Sequence, residues 1–125
     1  MHKAVEEYRR IWDVHPDEVR FVPPPGEAVE AATRFAFFPV AGTELELIEP
    51  VSPAFRASLL DRGFGINHMA FNVRDLPATL EILREKSVRP GHVTGDGMID
   101  LGDRLMAYLN PEDTAGLLVE LVQEK

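Results

Sequence analysis

The chain has 125 residues, of which 45% are hydrophobic and 27% charged, values ordinary for a single globular domain with a sizeable core. Its formal net charge of -8 argues against nucleic acid and anionic membranes as partners, because clustered Lys and Arg are needed to bind either one. The chain contains no cysteine, which excludes disulfides, thiolate zinc sites and cysteine nucleophiles. No apolar run approaches the roughly 18 residues of a membrane span, and the first residues lack the apolar core of a signal peptide. We therefore expect a cytoplasmic protein of one domain, residues 1–125.

The first half of the chain is predicted to form a helix followed by strands. Apolar residues at helical spacing indicate a helix over His2–Trp12, with Ala4, Val5, Tyr8, Ile11 and Trp12 facing inward. Strands are expected at Asp17–Val22, Arg34–Val40 and Thr43–Glu49, the last two joined by a tight turn at Ala41-Gly42. Ser52–Leu60 has a helical pattern, which Arg62-Gly63 breaks.

The second half is predicted to begin with a strand over Gly65–Val73. Alternation along that strand places His68, Ala70 and Asn72 on one face, and Met69, Phe71 and Val73 on the opposite face, which is expected to pack. Asp75 is placed to cap a helix from Leu76 to about Ser87, with Leu80, Ile82 and Leu83 facing inward. The remaining elements are an interrupted strand over Val88–Val93, turns over Gly95–Asp100, and strands over Leu105–Leu109 and Gly116–Gln123.

Two further strands carry acidic side chains in an alternating pattern. Glu44 and Glu46 share one face of the Thr43–Glu49 strand, and Glu120 shares a face with Leu118 and Val122 near the end of the chain. An unpaired carboxylate is costly to bury on an apolar strand, which favours a site role for Glu120. Together with His68, three strands each offer a side chain that can bind a metal. The simpler interpretation is a structural histidine and a solvated row of glutamates, and His2, His15 and His92 are expected at the surface or in turns.

The two halves resemble each other. Gly42 and Glu46 recur as Gly116 and Glu120 at the same offset of 74 residues, and Ala36-Phe37-Phe38 corresponds to Ala107-Tyr108-Leu109. This self-similarity predicts a duplicated unit of one strand, one helix and three strands, in which Glu46 and Glu120 are equivalent. The first copy begins at its helix, so its opening strand, with any counterpart of His68, is expected to be missing.

Three stretches resemble the vicinal oxygen chelate superfamily, and most closely its methylmalonyl-CoA epimerase branch. They are ELELIEP (Glu44 to Pro50), SPAFRASLLDRGFGINHMAFNV (Ser52 to Val73) and YLNPEDTAGLLVELVQ (Tyr108 to Gln123). The resemblance implies an α+β fold in which paired βαβββ modules form a curled mixed sheet around a divalent metal. The first module would span residues 1–50, without its opening strand, the connector 51–65 and the second module 66–125.

The resemblance also implies the site and its chemistry. His68, Glu46 and Glu120 would bind a divalent ion such as cobalt, nickel, zinc or manganese, in a site left incomplete by the missing strand. The implied reaction is proton transfer next to a carbonyl through a metal-stabilised enolate, on a small-molecule substrate such as an acyl-CoA thioester. Glu120 and Glu44 are the candidate catalytic residues. Two positions depart from the epimerase pattern: Asp100-Leu101-Gly102-Asp103 replaces a Gly-x-His-Gly stretch, and Asn67 replaces a histidine.

Other functions stay open at this point. A non-catalytic small-molecule-binding protein of the bleomycin-resistance type and a lyase resembling glyoxalase I are the alternatives, and the chain could also be an incomplete one. The missing strand would leave a sheet edge with unpaired backbone groups, which folded proteins tend to cover. We therefore expect a homodimer, without a nucleic-acid or membrane partner.

Overall fold

The structure has the α+β composition that the sequence predicts. The computed structural model describes residues 1–27, 30–60, 65–91 and 97–125, apart from the side chains of residues 58 and 60. Within these residues the helices are α1 (His2–Trp12), α2 (Pro53–Leu60) and α3 (Leu76–Glu85), and the strands are β1 (Arg20–Val22), β2 (Thr33–Val40), β3 (Thr43–Pro50), β4 (Met69–Asn72), β5 (Ile99–Asp100), β6 (Arg104–Leu109) and β7 (Val119–Glu124). The predicted helix break at Arg62-Gly63 and the predicted surface position of His92 lie outside the described residues.

The chain folds as two compact units, Met1–Gly63 and Phe64–Lys125. In the first unit β2 pairs antiparallel with both β1 and β3. In the second unit the strand order is β4-β7-β6-β5, where β4 runs parallel to β7 and the other pairs are antiparallel. The succession α1-β1-β2-β3 is therefore repeated as α3-β5-β6-β7, in agreement with the internal repeat. The described residues of the first unit hold no counterpart of β4.

Short-range signals in the sequence set several boundaries. The carboxylate of Asp75 accepts a hydrogen bond from the backbone N–H of Ala78 at 2.9 Å, which confirms the predicted cap of α3. The β2–β3 hairpin turns through Ala41 and Gly42, whose φ angles of 49° and 81° suit a two-residue hairpin turn. None of the helices that the structure describes is long and apolar enough to cross a membrane.

Each unit buries an apolar layer between its helix and its sheet. In the second unit this layer joins α3 to the two central strands through Leu76, Leu80, Ala107, Leu109 and Leu121. In the first unit, buried residues of α1 and β2 are Val5, Ala36 and Phe38. Burial of such side chains is the main source of stability for a unit of this size. In the second unit the core therefore lies on the sheet face that carries odd-numbered β7 residues, which leaves the opposite face for Glu120.

The predicted inward face of α1 is largely wrong. Val5 is buried, but Ile11 and Trp12 are 54% and 53% exposed, and Tyr8 is also exposed although its ring lies 6.3 Å from that of Phe38. α1 is followed by Asp13, whose backbone has the left-handed conformation of a helix C-cap. Val14, the next residue, is buried. Ile82 on α3 is likewise exposed rather than inward.

The strand around His68 is shorter than predicted. Its pairing with β7 begins at Met69↔Val119, because the chain before Val119 turns through Ala115 and Gly116 at positive φ. His68 therefore lies just before β4, and β7 begins at Val119 rather than at Gly116. Met69 and Phe71, predicted to pack, are 44% and 49% exposed. β4 is an outer strand of its sheet in the described residues, and all four of its residues are exposed.

The segment between α3 and β6 also differs from the prediction. Of the strand expected over Val88–Val93 the described part forms a single bridge, Pro90↔Leu109, because proline has no N–H to donate to a sheet. Ile99–Asp100, expected in a turn, forms β5 against β6. The turn lies after it, at residues 101–103, where the N–H of Leu101 donates to the carbonyl of Arg104.

The start of β1 also differs from the prediction. β1 begins at Arg20 rather than Asp17, because Pro16–Glu18 forms a 3-10 turn.

Candidate active site

A histidine and a glutamate meet on the face of the second sheet that points away from α3. Glu120 lies in β7 beside Ala70 of β4, and the N–H of Met69 donates to the carbonyl of Leu118 at 3.1 Å. This parallel pairing holds the residue before β4 next to the start of β7. His68 Nε2 consequently lies 3.1 Å from Glu120 Oε2. Two of the three predicted metal ligands are thus neighbours in space, although 52 positions separate them in the sequence.

The pair is shielded from solvent. The side chains of His68 and Glu120 are 12% and 11% exposed. Among the residues that the structure describes, Glu120 is the charged residue that is buried. Burying a carboxylate costs several kcal/mol unless a polar partner satisfies it. The His68 ring supplies such a partner, which explains why an apolar strand tolerates an acid at this position.

Two side chains that the sequence analysis did not assign to a site also contact His68. The Oδ1 atom of Asn67 lies 2.9 Å from Nδ1 of His68, and the Tyr108 ring stands edge-on to the imidazole, with centroids 5.9 Å apart. Tyr108 is the direct cross-strand partner of Glu120. The repeat could have identified Tyr108, because it matches Phe37 in the first unit. For Asn67 the signal was its place beside His68, at a position where the epimerase pattern has a histidine.

The first unit repeats the pairing of an acid with an aromatic ring. Glu46 in β3 is the cross-strand partner of Phe37 in β2, as Glu120 is of Tyr108. This register agrees with the predicted equivalence of Glu46 and Glu120. Glu46 is partly buried, on the same face of β3 as Glu44.

Glu44 is more open to solvent than Glu46. Its carboxylate lies 3.5 Å from the guanidinium of Arg20, and both side chains are more than half exposed. The same guanidinium lies 4.1 Å from the centroid of the Phe37 ring. An exposed ion pair of this kind contributes little stability. The guanidinium thus contacts both the Glu44 carboxylate and the face of the Phe37 ring.

The loop that leads into β7 is held by an ion pair of its own. Arg89, after α3, donates to the Asp113 carboxylate from its backbone N–H at 2.9 Å and from two guanidinium nitrogens at 3.0 Å. These bonds, the guanidinium first, hold the pKa of Asp113 below its ordinary value. The clamp ties the chain after α3 to the 3-10 turn Pro111–Asp113, which precedes β7.

The geometry of the pair can be compared with that of a metal site. Two ligand atoms bound to one ion at about 2.1 Å and at a right angle lie about 3.0 Å apart, close to the 3.1 Å between His68 and Glu120. Among the described residues within each unit, no group of three His, Cys, Asp or Glu side chains is placed to hold a metal. The two residues fit a divalent ion as part of its ligand set, and the third ligand, Glu46, stays a prediction.

Comparison with known proteins agrees with the fold. The model of the Glyoxalase/Bleomycin resistance protein/Dioxygenase superfamily matches residues 1–100. Over 98% of its length the chain is 26% identical to mitochondrial methylmalonyl-CoA epimerase of Mus musculus, and it spans 66% of the length of that protein. The crystal structure of methylmalonyl-CoA epimerase from Mycobacterium tuberculosis matches 99% of this chain and 80% of its own, with a TM-score of 0.71 and 25% identity.

A third relative carries a bound ligand. A variant of Streptomyces coelicolor methylmalonyl-CoA epimerase in complex with 2-nitronate-propionyl-CoA matches 99% of this chain and 89% of its own, with a TM-score of 0.71 and 26% identity. The family match covers most of the chain, and the structural matches cover nearly all of it. The chain therefore belongs to the Glyoxalase/Bleomycin resistance protein/Dioxygenase superfamily.

Proposed function

We propose that this chain is an isomerase of the epimerase type, which moves a proton at the carbon next to the carbonyl of an acyl-CoA thioester. The observation that carries the proposal is the buried pair of His68 and Glu120, 3.1 Å apart on the sheet face opposite α3. The names of the relatives support it, since three of them are methylmalonyl-CoA epimerases.

The donor set of the pair fits a divalent ion of the cobalt, nickel, zinc or manganese group. Imidazole nitrogen is a good ligand for zinc and nickel, and carboxylate oxygen for manganese. His68 and Glu120 would hold the ion, and Glu46 stays the predicted third ligand. When bound, the ion supplies positive charge beside the substrate oxygen on which negative charge develops as the neighbouring carbon loses its proton.

The proton itself is moved by the chain. Glu44 is the proposed proton carrier, because its carboxylate shares the β3 face of Glu46 and can accept and return a proton. Arg20 holds that carboxylate in position at 3.5 Å. Glu120, which contacts His68, is the second proposed catalytic acid. The Tyr108 ring contacts the His68 imidazole edge-on.

The test is exchange of the C2 proton of methylmalonyl-CoA in deuterated water, followed by NMR with protein loaded with each of the four metals. We expect exchange by the wild type and a loss of about 100-fold or more in Glu120→Gln and in Glu44→Gln. Glu124→Gln is the matched control, because Glu124 lies on the same strand and face as Glu120 but is exposed. Equal rates in Glu120→Gln and Glu124→Gln would refute the proposed site, and an inactive wild type would refute the reaction.

A second candidate function is non-catalytic binding of a small molecule. The direct contact between His68 and Glu120 favours it, because the two groups satisfy each other without an ion. For such a protein, a ligand that raises the melting temperature would do so equally with and without a chelator. An epimerase would lose the metal-dependent part of that shift.

We also propose that the protein is a homodimer. In the described residues of the first unit β3 pairs with β2 alone, whereas the equivalent strand β7 of the second unit pairs on both sides. β3 is thus the outer strand of its sheet in the described residues, and a strand of a second chain could add to that edge.

A further inference from the structure

The row of side chains that contains Glu120 is exposed at one end. Its direct cross-strand partners are Tyr108 of β6 and Ala70 of β4, so the three side chains lie side by side on the sheet face that points away from α3. Glu120 is buried and Tyr108 is partly buried, whereas Ala70 is exposed. Of the three, Ala70 is therefore the residue that a dissolved molecule contacts on its way to the Glu120 carboxylate.

A small residue at this position is not explained by packing. Alanine is depleted in strands, where β-branched and aromatic side chains fit the pleated surface better. Ala70 lies in the outer strand β4 and is exposed, so no neighbouring side chain requires it to be small. Positions where a residue departs from the local preference of its element are often functional. The methyl side chain of Ala70 leaves space beside Glu120, and that space is where a substrate group fits.

The next row on the same face is apolar in the inner strands. Val122 of β7 and Met106 of β6 are direct partners there, and both are partly buried. Two residues of a strand rise about 7 Å, which separates this row from that of Glu120 and Ala70. Carbon atoms in contact lie about 3.5–4.0 Å apart, so a gap of about 7 Å takes one methyl group between the two rows.

We infer that Ala70 is a specificity-determining residue, which admits a substrate whose reacting carbon carries a one-carbon apolar branch. The branch lies over Ala70, and Val122 limits its length from the next row. This inference rests on the proposed function and deepens it, because it narrows the acyl thioesters to those with a short apolar branch beside the carbonyl.

The contact is measured first, by NMR on protein with ¹³C-labelled alanine and valine methyl groups, in the presence of zinc(II) and methylmalonyl-CoA. We expect nuclear Overhauser effects from the substrate methyl group to the methyl groups of Ala70 and Val122. Ala78 is the control, because it is exposed on α3, on the other side of the sheet, and should show none. Bound methylmalonyl-CoA without an effect at Ala70 overturns the inference.

The second measurement compares exchange of the C2 proton in methylmalonyl-CoA and ethylmalonyl-CoA. One methylene more or less in an apolar site commonly changes kcat/KM about 10- to 200-fold, and we expect the wild type to prefer the methyl substrate by a factor in this range. Ala70→Leu should lower kcat/KM for methylmalonyl-CoA by about 10-fold or more, and Ala70→Gly should reduce the preference for the shorter branch about 10-fold. Ala78→Leu is the matched control and should equal the wild type.

The outcomes separate this inference from the proposed function. Ala70 is exposed, so its substitutions leave the apolar core untouched. Exchange by the wild type with equal rates in Ala70→Leu and Ala78→Leu overturns the inference and leaves the reaction standing. A contact at Ala70 without any exchange refutes the reaction and leaves Ala70 in the binding site. If methylmalonyl-CoA does not bind at all, both are refuted.

Discussion

His68 and Glu120 are expected to stabilise the folded protein jointly, and a double-mutant cycle measures by how much. The side chains are 12% and 11% exposed, so the solvent screening that reduces exposed ion pairs to about 0–1 kcal/mol acts weakly here. A buried hydrogen bond that involves a charged group contributes about 1.5–3 kcal/mol. The cycle of His68→Ala, Glu120→Ala and the double variant should therefore give a coupling of about 1.5–3 kcal/mol, or roughly 10- to 150-fold in the folding equilibrium.

The assay is urea unfolding followed by far-ultraviolet circular dichroism, with the free energy of unfolding extrapolated to water. Arg20 and Glu44 provide a matched cycle, because they form an ion pair at 3.5 Å with side chains 58% and 57% exposed. Their coupling should stay below about 1 kcal/mol. If the two cycles give the same coupling, the His68–Glu120 contact is not a buried interaction in solution, and the reasoning about the site fails with it.

Three further predictions concern the fold around the site. Asp75→Ala removes the side-chain acceptor for the N–H of Ala78, so the free energy of unfolding should fall by about 0.5–2 kcal/mol in urea titrations; an unchanged midpoint would show that the cap contributes nothing. Because Arg89 lowers the pKa of Asp113, the stability gained from this carboxylate is complete above about pH 4, the ordinary carboxyl range, and is lost as the pH falls through the lower folded pKa. Melting temperatures measured from pH 6 down to pH 2.5 should therefore fall less steeply in Asp113→Asn than in wild type, and parallel curves would contradict this. Light scattering after size exclusion should give about twice the mass of one chain, whereas a monodisperse monomer would rule out pairing of chains at β3.

Elements with a strong local signal were predictable from the residues alone. The bounds of α1, the β2–β3 hairpin with its Ala41-Gly42 turn, and the cap of α3 at Asp75 agree with prediction, because helix spacing, positive-φ turn residues and capping side chains act over a few positions. The repeat also related Glu46 to Glu120. Strand alternation correctly placed Glu120 on the face away from the apolar core.

Features that depend on contacts between distant segments could not be predicted from the residues alone. The start of β4 follows from where β7 begins, and that start brings Asn67 against His68. Ile11 and Trp12 have the spacing of core residues, yet both are more than half exposed. The spacing of residues along a helix or strand indicates which of them share a face. Whether a side chain is buried or hydrogen-bonded depends on a partner at the right distance. The residues therefore specified the elements and the acids they carry, whereas the packing of β4 on β7 established that a histidine and a glutamate 52 positions apart form one buried pair.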